Sequence, residues 1–132
     1  MSTEFNPNRP LWFSLNIYPV DICFCATEKA WTEATKKLGT FDYPTTSAHT
    51  AMVDKDGHHN LIIVTMGERT DTFKWTTIIE LCAHEAVHVW DYVKQTIEEK
   101  DTRGCSEIDA YHIGLYAKFI FESYIKTRRP IG

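Results

Sequence analysis

The sequence has no apolar run that approaches the roughly 18 residues needed to cross a membrane. Its first ten residues, MSTEFNPNRP, also lack the basic segment followed by an apolar run that marks a secretory signal peptide. These two absences predict a cytoplasmic protein without a membrane partner.

Positive charge and cysteine are scarce as well. The 132 residues include 14 lysines and arginines against 18 acidic residues, which gives a formal net charge of -4. A chain of this charge is not expected to bind nucleic acid through bulk electrostatics. The four cysteines are expected to be reduced in the cytosol, and we interpret Cys23, Cys25 and Cys82 as thiols of the core.

Internal repeats, low-complexity tracts and linkers are absent too, so we expect a single domain over residues 1–132. The first half contains segments typical of strands. LWFSLNIYPVDICFCA is broken near Pro19, and HTAMVDKDGHHNLIIVTM predicts two strands joined by an Asp56-Gly57 turn. Between them, TEKAWTEATKKLG predicts a short helix with Thr27 as its N-cap and Gly39 as its C-terminal stop.

The second half has helical periodicity. A long helix is predicted from a cap at Asp71 or Thr72 to about Glu98, and a second helix from about Ser106 to Thr127. The second helix is apolar over most of its circumference and is expected to be largely buried. Together these elements predict a small α+β domain. The apolar stripe of the long helix comprises Trp75, Ile78, Ile79, Cys82, Ala86, Val89, Val93 and Ile97.

The residues with metal chemistry lie opposite that stripe. His84 and His88 are about one helical turn apart, so their imidazoles can bind the same ion, and imidazole suits zinc. Glu85 stands about 100° round the helix, too far to be a ligand but within reach of a metal-bound water. Zinc lowers the pKa of that water towards about 7, the glutamate takes its proton, and hydroxide attacks a polarised carbonyl.

A catalytic zinc site also needs a third protein ligand and one open position. Asp91 lies about two turns after His84 and suits a partner that orients a histidine better than it suits a ligand. Glu107 follows His88 by 19 residues, which is enough chain for the helix to end and a second helix to begin beside the histidines. The downstream candidates are Asp91, Asp101, Glu107, Asp109 and His112.

Each of these residues also has an interpretation without metal. Two histidines can simply occupy the solvated side of a helix. An acid directly after Ser106 stabilises a helix N-terminus, and Ser106 with Asp109 can form a capping box. The regular helix and the carboxylate at a suitable distance favour the zinc site.

The pattern HExxH, followed by 18 residues and then Glu, resembles the gluzincins, the glutamate-ligated branch of the zincin metallopeptidases. The resemblance implies that His84, His88 and Glu107 bind one Zn2+ per chain and that Glu85 is the general base. It also implies a minimal zincin-like domain, with a small twisted sheet, a backing helix, an active-site helix and a following ligand helix. An extended substrate would pair with the edge strand. The step from Glu107 to Ala110 further resembles the third-ligand helix of small zincins from phages and mobile elements.

The expected function is that of a zinc-dependent metallopeptidase acting on a peptide or protein. Narrow specificity is expected, because general proteolysis in the cytosol would be harmful. Large gluzincins have a second subdomain that supplies a tyrosine or histidine to the oxyanion, and this chain has no room for one. That absence favours an alternative, a catalytically weak or inactive zinc-binding module that acts through protein–protein contacts. Oxyanion candidates within the domain are Tyr111, Tyr116, His49, His58 and His59.

Overall fold

The computed structural model describes residues 6–14, 18–39, 41–53, 60–97 and 107–129. Strands and one helix come first, and two long helices follow, so the expected α+β class is confirmed. A short 3₁₀ turn, Glu68–Thr72, precedes the first long helix. The regular elements are β1 (Leu11–Trp12), β2 (Val20–Cys25), α1 (Glu28–Thr35), β3 (Ala48–Val53), β4 (Asn60–Met66), α2 (Trp75–Thr96) and α3 (Glu107–Thr127).

The strands form one four-stranded mixed sheet in the order β1-β2-β4-β3. β2 and β4 pair in parallel at the centre, while β1 and β3 pair antiparallel on the outside. The predicted hairpin is confirmed as β3 and β4, and its outer strand β3 is an edge of the described sheet. The Asp56-Gly57 turn, together with His58 and His59, lies outside the described residues.

Alternating side chains of the central strands pack against two different layers, because successive residues of a strand point to opposite faces. One face packs against α2 and α3, and the other packs against Ala30 and Trp31 of α1. The backing helix is therefore α1. Ile22, Phe24, Ile62 and Val64 lie on the first face, and Cys23, Cys25, Leu61 and Ile63 on the second.

The predicted start of α1 at Thr27 is confirmed, whereas the helix ends at Thr35, before the predicted stop at Gly39, because a turn at residues 36–38 lies between the two. The Thr27 hydroxyl accepts a hydrogen bond from the backbone N–H of Ala30 at 3.1 Å, as an N-cap does. After the helix, Gly39 has a φ of 111°, a conformation that side chains with a Cβ rarely adopt.

The start of α2 differs from the prediction. The helix begins at Trp75, its N-cap residue is Lys74, and no side chain caps it. Asp71 instead lies in the 3₁₀ turn, where its carboxylate accepts two hydrogen bonds from the Arg128 guanidinium. Asp71 therefore binds Arg128, a residue distant in the sequence, and does not cap α2.

The buried face of α2 agrees with the predicted stripe except on one side. Ile79 was predicted to be buried and is 55% exposed, whereas Glu85 and Trp90 are buried. The reason is that α2 packs against the sheet on one flank and α3 on the other, so its buried arc is wider than the apolar stripe and turned towards these two residues. The predicted members that are fully buried are Ile78, Cys82, Ala86, Val89 and Val93.

The limits of α3 agree with the prediction, but its burial does not. Ile108 and Tyr111 are exposed, so the helix is not buried over most of its circumference. One face packs against α2 and the aromatic core, and the opposite face meets solvent. The buried residues of α3 are Asp109, His112, Tyr116, Ile120, Ser123 and Tyr124.

The thiols of Cys23, Cys25 and Cys82 are free and buried, as expected for core residues, and Cys105 lies outside the described residues. Within the part of the chain that the structure describes, no helix combines the length and apolar character that crossing a bilayer requires.

Candidate metal centre

The two histidines of the HEAVH segment converge on the solvent side of α2. Their side chains are exposed, and their Nε2 atoms lie 3.2 Å apart. The ring centroids are 4.9 Å apart and the ring planes meet at 73°. The predicted pairing of His84 and His88 is therefore present in the structure.

The separation of the two nitrogens fits a zinc ion. Zinc binds imidazole nitrogen at about 2.0–2.1 Å in tetrahedral geometry, which places two such donors about 3.3 Å from each other. The observed 3.2 Å agrees with that edge length. It also suits a hydrogen bond in which one neutral imidazole donates to the other, so the distance allows a metal without requiring one.

Glu85 lies on a different flank of α2 from the histidines and is only 4% exposed. Its Oε1 atom accepts a hydrogen bond of 2.7 Å from the hydroxyl of Thr50 on β3. An ionised carboxylate can only accept hydrogen bonds, so the threonine must be the donor. The glutamate thus sits between the histidine face of α2 and the edge strand of the sheet.

Cys82 is the nearest thiol to this glutamate in the sequence. Burial, and to a smaller extent the charge of Glu85, raises the pKa of Cys82 to about 12. The thiol therefore stays protonated at neutral pH.

Glu107, the predicted third ligand, is exposed at the first position of α3. Two residues correspond to about 200° of helix, so Glu107 lies nearly opposite Asp109, which faces α2. Within the described residues, no group of three or more His, Cys, Asp or Glu side chains is close enough to hold a metal ion. The structure brings the two histidines together but does not place Glu107 beside them. Asp101, another candidate, lies outside the described residues.

Asp109 and His112, the substitutes for the third ligand, already have partners in the interface between α2 and α3. The Trp90 indole N–H donates to Asp109 Oδ1 at 2.7 Å, and Lys94 Nζ is 3.8 Å from the same oxygen. His112 Nδ1 lies 2.8 Å from the carbonyl oxygen of Ile108, which can only accept, so this nitrogen carries the proton. In the neutral ring Nε2 is then an acceptor for the Tyr18 hydroxyl at 2.7 Å.

The side chains considered for a supporting role have different surroundings. Asp91 is exposed and forms an ion pair with Lys94 at 3.6 Å, and it has no hydrogen bond to either histidine within the described residues. Tyr111 is exposed, and its ring is nearly perpendicular to that of His112, with ring centroids 5.7 Å apart. Tyr116 is buried, and this burial raises the pKa of its phenol. His49 is exposed on β3.

Two parts of this arrangement were not predicted from the sequence. Thr50 is the polar residue on a face of β3 that otherwise presents Ala48 and Met52 to the core. That interruption of the apolar alternation is a signal in the sequence, but it does not identify the partner. The contacts of Trp90 with Asp109 and His112 join residues about 20 positions apart, and no motif predicts them.

Comparison of the chain with models of protein families, with curated proteins and with solved structures finds no match. What the site does is therefore inferred from its own residues.

Proposed function

We propose that the protein is a zinc-dependent metallopeptidase of zincin type. His84, His88 and Glu107 would hold the metal, and Glu85 would be the general base. The single observation on which the proposal rests is the pair of histidine nitrogens at 3.2 Å, next in sequence to a carboxylate that is buried and oriented. This combination supplies a place for one ion and one base, the two groups that hydrolysis by a metal-activated water needs.

A bound zinc ion supplies a Lewis acid that polarises the substrate carbonyl and lowers the pKa of water to about 7. Glu85 accepts the proton of the attacking nucleophile and later donates it to the leaving amine. His84 and His88 present their ring nitrogens on the solvent side of the same helix. The base and two of the three proposed metal ligands thus belong to one helix, which fixes the positions of their backbones relative to one another.

Glu107 is proposed as the third ligand because its carboxylate is exposed and has no partner within the described residues. The alternative, Asp109, is already bound by Trp90 and Lys94. The same contacts hold the first turn of α3 beside the part of α2 that follows His88. Glu107 lies on the opposite side of that turn from Asp109, so its side chain would have to turn towards the histidines to bind the metal.

The substrate would be a peptide or a protein segment in extended conformation. β3 is an edge of the described sheet, and its Thr50 contacts the base. An extended peptide can add to such an edge through main-chain hydrogen bonds. A site that requires an extended, accessible segment would act on few folded proteins, in agreement with narrow specificity.

A second function is favoured by the exposure of the two histidines. They lie on the open surface of α2, and no third ligand is close to them within the described residues. A zinc-binding module that joins α2 to α3, or to a partner protein, needs only this surface. In that case Glu85 would be an internal structural carboxylate.

The proposal is tested with Glu85→Gln, which keeps the shape of the side chain and removes the base. We expect about one zinc per chain by elemental analysis in both proteins, and cleavage of a peptide library by the wild type alone. Glu80→Gln is the matched control, because Glu80 is an exposed acid one turn before His84. It should cleave like the wild type.

Other results would separate the two functions. Zinc in the wild type without cleavage of any peptide would exclude the peptidase and support the zinc-binding module. A folded wild type that retains no zinc after preparation with excess metal would exclude both functions. Cleavage by Glu85→Gln would exclude Glu85 as the base.

A further inference from the structure

We propose that Thr50 is a positioning residue that orients the carboxylate of Glu85 and attaches it to the edge strand of the sheet. This inference rests on the proposed peptidase function. It adds a residue from β3 to a site whose other members belong to α2 and α3.

The contact between the two side chains is short and shielded from solvent. Thr50 is 6% exposed and Glu85 is 4% exposed, and the donor and acceptor oxygens are 2.7 Å apart. The backbone oxygen of Glu85 is 3.5 Å from the same hydroxyl, too far to compete for its proton. Hydrogen bonds to an ionised acceptor are about twice as strong as those between neutral groups. The hydroxyl therefore selects one orientation of the carboxylate.

The hydrogen bond leaves the second carboxylate oxygen available. Thr50 binds Oε1, and Oε2 has no hydrogen-bond partner among the described residues. Every buried side-chain nitrogen or oxygen in the described part has a partner, so Oε2 must retain contact with solvent. Thr50 holds one oxygen, and the other is not engaged by a hydrogen bond within the described residues. A general base needs an accepting oxygen that is not already occupied, and Oε2 would have this role.

The scaffold restricts the donor as well. Threonine is branched at Cβ, which restricts its χ1 angle, and it lies within the paired residues of β3, opposite Val64 of β4. β3 has a second attachment to α2, since the Thr96 hydroxyl lies 3.7 Å from the sulfur of Met52. The edge strand is thus attached to α2 at Glu85 and again at Thr96, further along the same helix.

The link has a consequence for substrate binding. A peptide that adds to β3, an edge of the described sheet, pairs with the same strand that orients the base. Main-chain pairing would hold the peptide whether or not Thr50 has its hydroxyl. Removal of the hydroxyl should therefore lower kcat and leave KM nearly unchanged, because it affects the reaction and not the attachment of the substrate.

The experiment compares Thr50→Val with Thr50→Ser. Valine keeps the shape and branching of the side chain without the hydroxyl, and serine keeps the hydroxyl. We expect Thr50→Val to lower kcat by about 10–100-fold, since a small misplacement of a reacting group costs up to about 100-fold. KM and the zinc content should stay within about two-fold of the wild type, and Thr50→Ser should recover most of the lost rate.

Thr65→Val is the matched control. Thr65 is also a buried threonine of the sheet, but its hydroxyl lies 3.0 Å from the Tyr43 hydroxyl, away from Glu85. It should lose stability in thermal melts without losing kcat. If Thr50→Val does not fold, Thr50→Ala provides the same comparison against Thr50→Ser.

The positioning role is overturned if a folded Thr50→Val turns over as fast as an active wild type, or if Thr65→Val loses as much kcat. A wild type that binds zinc and cleaves nothing overturns the peptidase proposal as well. That result requires no Thr50 variant, so the two failures are distinguishable.

Discussion

The indole of Trp90 lies flat against the imidazole of His112, with ring centroids 3.9 Å apart and ring planes within 12° of parallel. The same indole donates its N–H to Asp109. Trp90, which follows the histidine pair in α2, thus contacts two buried residues of α3, Asp109 and His112. These contacts form part of the packing of α3 on α2.

Trp90→Phe should reduce the free energy of unfolding by about 1–3 kcal/mol, because it removes the donor to a buried carboxylate while it keeps an aromatic ring. Urea unfolding followed by circular dichroism measures the change. Trp12→Phe serves as the control, since Trp12 is 52% exposed and should change stability by about 0.5 kcal/mol or less. Equal effects of the two substitutions would mean that the hydrogen bond to Asp109 contributes little.

The choice between Glu107 and Asp109 as third ligand has a direct test. Loss of a residue that hydrogen-bonds to a metal ligand weakens metal binding by about 10–100-fold. Glu107→Ala removes a ligand itself and should therefore raise the Kd for zinc by more than that. Asp109→Asn should keep the metal, since an amide oxygen can still accept from Trp90. Isothermal titration with a competing chelator measures both. Loss of zinc from Asp109→Asn together with retention by Glu107→Ala would assign the ligand to Asp109.

Stability should fall at alkaline pH through the buried thiols. The pKa of Cys82 is raised from 9.0 to about 12, and that of Cys23 is raised in the same direction by burial. A raised pKa in the folded state gives stability that is complete below about pH 9 and is lost as the pH rises towards 12. Urea midpoints at pH 8 and 10 should differ less for Cys82→Ala than for the wild type. If the urea midpoint changes equally with pH in both proteins, the Cys82 thiol does not cause the loss of stability.

Two glycines should respond to alanine in opposite directions. Gly114 is exposed within α3, and an added Cβ meets nothing within 4 Å, so Gly114→Ala should stabilise the helix by about 0.5–1 kcal/mol. Gly39 has a φ of 111°, and Gly39→Ala should destabilise by about 1 kcal/mol or more. Thermal melts of the two variants beside the wild type test the pair. A stabilised Gly39→Ala would show that the backbone at this position relaxes.

Local patterns in the sequence predicted the features that local chemistry determines. Thr27 caps α1, the hairpin strands pair as expected, and His84 and His88 meet because four residues make about one helical turn. The α+β class also follows from the order of such elements.

Features that depend on distant partners were predicted poorly. Asp71 was expected to cap α2, but it binds Arg128, which lies 57 residues away. The apolar periodicity predicts that Ile79 is buried, yet it is exposed because neither the described sheet nor α3 covers that side of α2. The burial of Glu85 depends on Thr50, and no periodicity in the sequence joins the two. The position of the third ligand belongs to the same class, since it requires the packing of α3.

The two halves of the proposed site therefore form under different conditions. His84 and His88 are four residues apart, so their approach requires one turn of α2. Thr50 and Glu85 are 35 residues apart, and their contact requires the assembled sheet with α2 packed against it. A partly folded chain would already present two metal donors, while its base would still lack an orientation. Under the proposed function, such a chain would be able to take up zinc before it could hydrolyse a peptide bond.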